Sequence, residues 1–133
     1  MAKIIYLHGF ASSANSTKAL QLKKYIFKNY SKTEIIIPNI ENNIVDAVQQ
    51  IDNLIKEFSP SALIGSSLGG FYATYFSEQY NLKCVGINPA VIPPAEMSEY
   101  LGENKNYSTG EKFLITQEQL DLLDRMGKEI KVI

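Results

Sequence analysis

The chain has 133 residues, one domain's worth at roughly 100 to 200 residues per domain, so a second independent core is not expected. With 45% hydrophobic and 20% charged residues it has an ordinary globular balance, which excludes a disordered or fibrous chain. Thirteen basic against fourteen acidic residues leave a net charge of -1, without the cation excess that a phosphate backbone demands, so no nucleic acid partner is expected. No apolar run approaches the roughly 18 residues of a membrane span, and the start lacks a signal-peptide pattern, so the expectation is a cytoplasmic protein with no membrane partner.

In chain order, Lys3 to Leu7 is a short apolar run bounded by Gly9 and reads as a buried strand. Ser16 or Thr17 caps a helix whose inner face is Ala19, Leu22, Tyr25, Ile26 and Tyr30. Glu34 to Ile37 is β-branched and stops at Pro38, a second strand. From Asn43 as N-cap, the apolar positions Ile44, Ala47, Val48, Ile51, Leu54, Ile55 and Phe58 recur at steps of three and four, which is an amphipathic helix. A third strand, Ala62 to Ile64, runs into glycines. The helix Leu68 to Tyr80 follows without a linker, its Gly69, Gly70 and Ala73 allowing close packing on a sheet. Cys84 to Ile87 is a fourth strand, ending at Asn88-Pro89. Continuous apolar strands alternating with helices predict a parallel α/β sheet with helices on both faces.

Beyond Asn88 the pattern loosens. Val91-Ile92-Pro93-Pro94 breaks regular structure, and Tyr100 to Gly110, rich in Asn, Gly, Ser and Tyr, reads as a surface excursion. Gln117 to Met126 is a further helix with Leu120, Leu123 and Met126 in register, and Lys131 to Ile133 looks like the start of another strand. Cys84 is the single cysteine, so no internal disulfide can form. With no ligand cluster around it, it is expected as a small buried core residue, and neither a metal nor a cofactor is expected.

Gly65-Ser66-Ser67-Leu68-Gly69 matches G-x-S-x-G, the nucleophile elbow, in the strand-before, helix-after context that this motif requires. Small residues two before and two after Ser67 permit the sharp turn. The helix starting at Leu68 then aims free N–H groups at charge developing on a substrate. A P-loop is excluded because no Gly-Lys-Ser/Thr follows, and the glycine spacing does not fit G-x-G-x-x-G. His8-Gly9-Phe10 after the first strand occupies the place from which an α/β-hydrolase draws its second oxyanion N–H, here the backbone of Phe10 paired with that of Leu68. His8 is the chain's only histidine and has two readings, a hydrogen-bonding organiser of that loop or an improvised catalytic base. Asp46, Asp52, Asp121 and Asp124 fall on predicted helices and read as solvated.

Several stretches together carry a more specific likeness. Ile5-Tyr6-Leu7-His8-Gly9-Phe10 with Ser12-Ser13, then Gly65 to Thr74, Asn88-Pro89-Ala90-Val91, and Tyr100 to Asn104 with Tyr107 and Thr109-Gly110, resemble the YqiA/YcfP-like bacterial esterases in order and spacing. The resemblance implies an α/β-hydrolase with little or no lid that cleaves carboxyl esters or acyl thioesters. It implies Ser67 as nucleophile, Phe10 and Leu68 as backbone oxyanion donors, and His8, Gly9, Gly65 and Gly69 as support for elbow and loop. The family's acid and catalytic histidine follow strands that this chain does not contain, so the likeness covers the N-terminal two-thirds of the pattern.

From that shortfall the chain alone is expected to be nearly inactive, and its fourth strand to be an edge that invites a second copy or a separate C-terminal fragment. The alternative is a non-enzymatic acyl-ligand-binding or interaction module on a hydrolase scaffold.

Overall fold

The computed structural model describes residues 2–90 and 97–131. Four parallel strands, β1 (Ala2–Leu7), β2 (Thr33–Ile36), β3 (Ala62–Ser66) and β4 (Lys83–Ile87), form one sheet in the order β2-β1-β3-β4. The crossovers are the helices α1 (Thr17–Asn29), α2 (Ile44–Phe58) and α3 (Leu68–Tyr80). Asn43 caps α2 as its sequence predicts, its side chain accepting from the Asp46 N–H at 3.0 Å, and of the two candidates before α1 it is Ser16 that caps, accepting from Ala19 N–H at 3.2 Å. A fourth helix, α4 (Gln117–Glu129), closes the described chain.

Strand alternation sorts the core. Ile5, Leu7 and Leu63 join one large buried cluster with Ile44 and Ile51 of α2, Phe71 and Phe76 of α3, and Leu120 and Leu123 of α4. Tyr6, which points the other way, is buried outside that cluster, on the side where α1 buries Ala19 and Ile26. Helices therefore cover both faces, as the alternating sequence implies, but among the described residues only α1 lies on the second.

Several expectations change. Tyr25 and Tyr30 do not face the sheet: α1 buries a strip only as wide as Ala19 and Ile26, and the two exposed tyrosine rings lie against each other at 6.0 Å. Cys84 is exposed, because β4 is the outer strand of the sheet and Lys83 to Gly86 are uncovered. Finally, 100–110 is no simple excursion. A 3-10 turn at Ser98–Tyr100 leads into β5 (Gly102–Lys105), which pairs antiparallel with β6 (Lys112–Ile115). Val91 to Pro94, expected to be irregular, lie outside the described residues, as do Val132 and Ile133. Lys131 is not in a strand, and its N–H donates to the Glu78 carboxylate at 3.1 Å.

Candidate active site

The turn from β3 into α3 is tight because both ends of its motif are in contact. A Cβ on Gly65 would lie 2.1 Å from the Gly69 carbonyl oxygen, and one on Gly69 would lie 2.1 Å from the Leu7 carbonyl oxygen and 2.5 Å from that of His8. Ser67 between them adopts φ 54° and ψ −119°, a conformation that costs a non-glycine residue roughly 1 to 3 kcal/mol. Four backbone hydrogen bonds hold it there: Ser67 N–H donates to Ile87 at 3.1 Å, and its carbonyl accepts from Gly70 at 2.9 Å, Ala90 at 3.0 Å and Phe71 at 3.2 Å. Ser67 is exposed while Gly65, Ser66, Leu68, Gly69 and Gly70 are all buried.

Gly9 brings the loop after β1 against this serine, since a Cβ there would stand 3.4 Å from Ser67 Cβ and 4.0 Å from its Oγ. The N–H groups of Phe10 and Leu68 donate to no protein acceptor among the described residues. Both residues line a small cavity of about 10 Å3, room for one water-sized group, together with Gly9 and Tyr72. The Phe10 ring is wedged between Tyr100 at 4.8 Å and Phe113 at 5.5 Å, and the Ala11 carbonyl accepts from Tyr107 N–H at 3.1 Å.

Asn106, 2% exposed, knots the assembly. Its amide donates to Ser12 O at 3.0 Å and Asn42 Oδ1 at 2.8 Å, while its Oδ1 accepts from the N–H groups of Ser108 and Thr109, both at 2.9 Å. The hairpin thus fixes the loop beside Ser67. Asn106, Phe113 and Ile40 carry no local mark in the sequence; the Asn-rich stretch is a signal only once its long-range partners are known.

His8 is 4% exposed with both ring nitrogens engaged. Nδ1 bonds the Gly9 carbonyl at 2.8 Å, and Nε2 bonds the Ile40 N–H at 2.9 Å. A carbonyl can only accept and an N–H only donate, so the ring is neutral, with its proton on Nδ1. Burial lowers its pKa, partly opposed by the bond to Gly9. The Nε2 lone pair is therefore occupied by the Ile40 N–H.

The sign of the pH effect follows. The unfolded histidine gains a proton near pH 6.5 whereas the folded one resists it, so stability falls on acidification below about 6.5 and levels off below the folded pKa. Unfolding free energies from urea titrations at neutral pH and below are expected to fall with a limiting slope of about 1.4 kcal/mol per pH unit, flattened in His8→Gln. Equal slopes in both proteins would refute the assignment.

No aspartate completes a triad among the described residues. Asp52 on α2 bonds the Tyr80 hydroxyl and Lys56 at 2.9 Å, and these partners, Tyr80 first, hold its carboxyl below the usual range. Asp124 pairs with Lys128 at 3.0 Å, and Asp121 accepts from Gln117 at 2.9 Å. Lys18 Nζ reaches Ser66 Oγ at 3.4 Å, which puts the start of α1 beside the elbow.

A parallel sheet whose third strand turns through a strained serine into a helix defines the α/β-hydrolase fold. Solved structures agree: Est1E from Butyrivibrio proteoclasticus, determined with ferulic acid bound, superposes with TM-score 0.71 at 11% identity over 94% of this chain and 61% of that one. Mouse alpha/beta hydrolase domain-containing protein 10 gives 0.66 at 15% identity, over 93% and 61%, and a monoacylglycerol lipase from Paleococcus ferrophilus 0.64 at 16%, over 98% and 70%.

Within that fold the chain belongs to the uncharacterised protein family UPF0227, whose model matches residues 3–130. It is 29% identical over 108 residues to a UPF0227 protein of Pectobacterium atrosepticum, covering 78% of this chain and 59% of that relative's length. No helix among the described residues is long and apolar enough to cross a membrane.

Proposed function

We propose that this chain carries the nucleophile half of a serine hydrolase acting on carboxyl esters or acyl thioesters. The observation that supports the reading most is Ser67 itself, exposed and left-handed between two glycines that have no room for a Cβ. In this reading Ser67 Oγ attacks the acyl carbonyl carbon. The carbonyl π pair moves onto oxygen, where the Phe10 and Leu68 N–H groups receive it, and the alcohol or thiol leaves to give an acyl-serine that water then cleaves. His8, Gly9, Gly65 and Gly69 shape the elbow and the loop. The serine's proton needs an acceptor, and because His8 is engaged on both sides, the proposal assigns that role to a histidine outside these 133 residues.

The test is intact mass after a fluorophosphonate probe, on the chain supplied with the complementary C-terminal part of a full-length UPF0227 relative. One adduct, absent in Ser67→Ala, is expected. The engagement of His8 favours a second reading, an acyl-binding module without turnover. Saturable acyl-ligand binding that survives Ser67→Ala, with no adduct on the complemented chain, would establish that instead.

A further inference from the structure

Charge is divided unevenly along the chain. Residues 1–33 contain six of the thirteen basic residues and none of the fourteen acidic ones, Glu34 being the first carboxylate. Five of those lysines, Lys18, Lys23, Lys24, Lys28 and Lys32, lie on or just beyond α1. The ion pairs among the described residues are Lys56 with Asp52 and Lys128 with Asp124, so no α1 lysine is neutralised by a carboxylate there.

The same helix also carries apolar side chains on its outer side. Leu20 and Phe27, seven residues apart and so on one side of α1, are 50% and 84% exposed. With Lys23, Lys24 and the edge-strand residues Thr33 and Ile35 they line an open, mainly apolar groove of about 530 Å3.

We infer that this face docks on the surface of a bilayer containing anionic phospholipid, Leu20 and Phe27 entering the headgroup–acyl boundary and the lysines meeting lipid phosphates. Two independent features select that occupant: an apolar ridge for the acyl region, and unpaired cations beside it for the charged headgroups. The other 100 residues carry seven basic and all fourteen acidic side chains, so the cations are concentrated on this one segment. A polynucleotide fits less well, because it offers no acyl layer to the exposed Leu20 and Phe27, and α1 has no arginine. The absence of a membrane-spanning helix is no obstacle, since such a contact lies in the interface rather than across it.

The experiment is co-flotation of the full chain with vesicles of phosphatidylcholine alone, or of equal parts phosphatidylcholine and phosphatidylglycerol, at low and high salt. Binding to the anionic vesicles only, reversed by salt, is expected. Affinity should drop about fivefold for each lysine removed, so roughly a hundredfold in the Lys23→Gln, Lys24→Gln, Lys28→Gln variant. Phe27→Ser, an exposed change that circular dichroism can show to be folded, should weaken flotation without altering the salt dependence. No flotation with anionic vesicles, or equal flotation with both kinds, would overturn the inference. Retention by duplex DNA at the same salt without flotation would overturn it too and assign the face to a polyanion.

Discussion

Gly69→Ala is expected to destabilise the fold by more than about 4 kcal/mol, a large share of the roughly 5 to 15 kcal/mol that keeps a domain folded. The new Cβ would stand 2.1 Å from the Leu7 carbonyl oxygen and 2.5 Å from that of His8. Both obstacles are backbone. They cannot rotate aside, so α3 would have to lift off β1, and with it Phe71, Tyr72 and Phe76 would leave the core they share with Ile5 and Leu7. Gly127 on α4 is the control. A Cβ there meets only the Phe71 ring edge at 3.8 Å, ordinary contact, and Gly127→Ala should raise stability by roughly 0.5 to 1 kcal/mol through helix propensity. Urea unfolding followed by circular dichroism reads both. A Gly69→Ala protein within about 1 kcal/mol of the parent would mean that helix and strand are not in the contact described.

The second large effect is on turnover. The 133-residue chain alone should hydrolyse activated esters about a million-fold more slowly than a complete serine esterase, the order of loss seen when a triad histidine is removed from a serine protease. At a typical rate of about 10 per second for an intact enzyme, that is roughly one event in days. Supplying the complementary C-terminal part of a relative should restore turnover, and Ser67→Ala should abolish what is restored. His8→Gln, by contrast, should change stability more than rate. Fast hydrolysis by the lone chain, lost in His8→Gln, would show instead that His8 acts as base, against the two bonds that occupy its ring.

What the sequence makes legible is what short-range physics decides. The elbow is readable because G-x-S-x-G, a strand before it and a helix after it are all local, and α2 is readable because Asn43 and seven apolar positions mark one continuous face. The misreadings have a common cause. Cys84 sits in an apolar run that looks covered, but coverage depends on having a neighbour beyond β4, which no run of five residues encodes. Tyr25 and Tyr30 keep helical spacing with Ile26, yet how wide a strip α1 buries is set by the sheet beneath it. The β5–β6 hairpin hides among polar residues because Glu103 and Lys105 face water, and Asn106 looks like a turn residue until its bonds to Ser12 and Asn42 are seen. His8 shows the same limit at the site: its tautomer is dictated by Ile40, 32 residues away.

The Asn106 knot also imposes an order of events on a chain made from its N-terminus. The bond from Asn106 to Ser12 spans 94 residues, and that between Ser13 and Ser108 spans 95. At a synthesis rate of about 5 to 20 residues per second, the hairpin residues follow Ser67 by seconds. Ala11, held at φ 56°, and Phe10, wedged between Tyr100 and Phe113, have no partners until those late residues emerge. The loop that faces Ser67 therefore acquires these partners only after the residues of the elbow itself have been made.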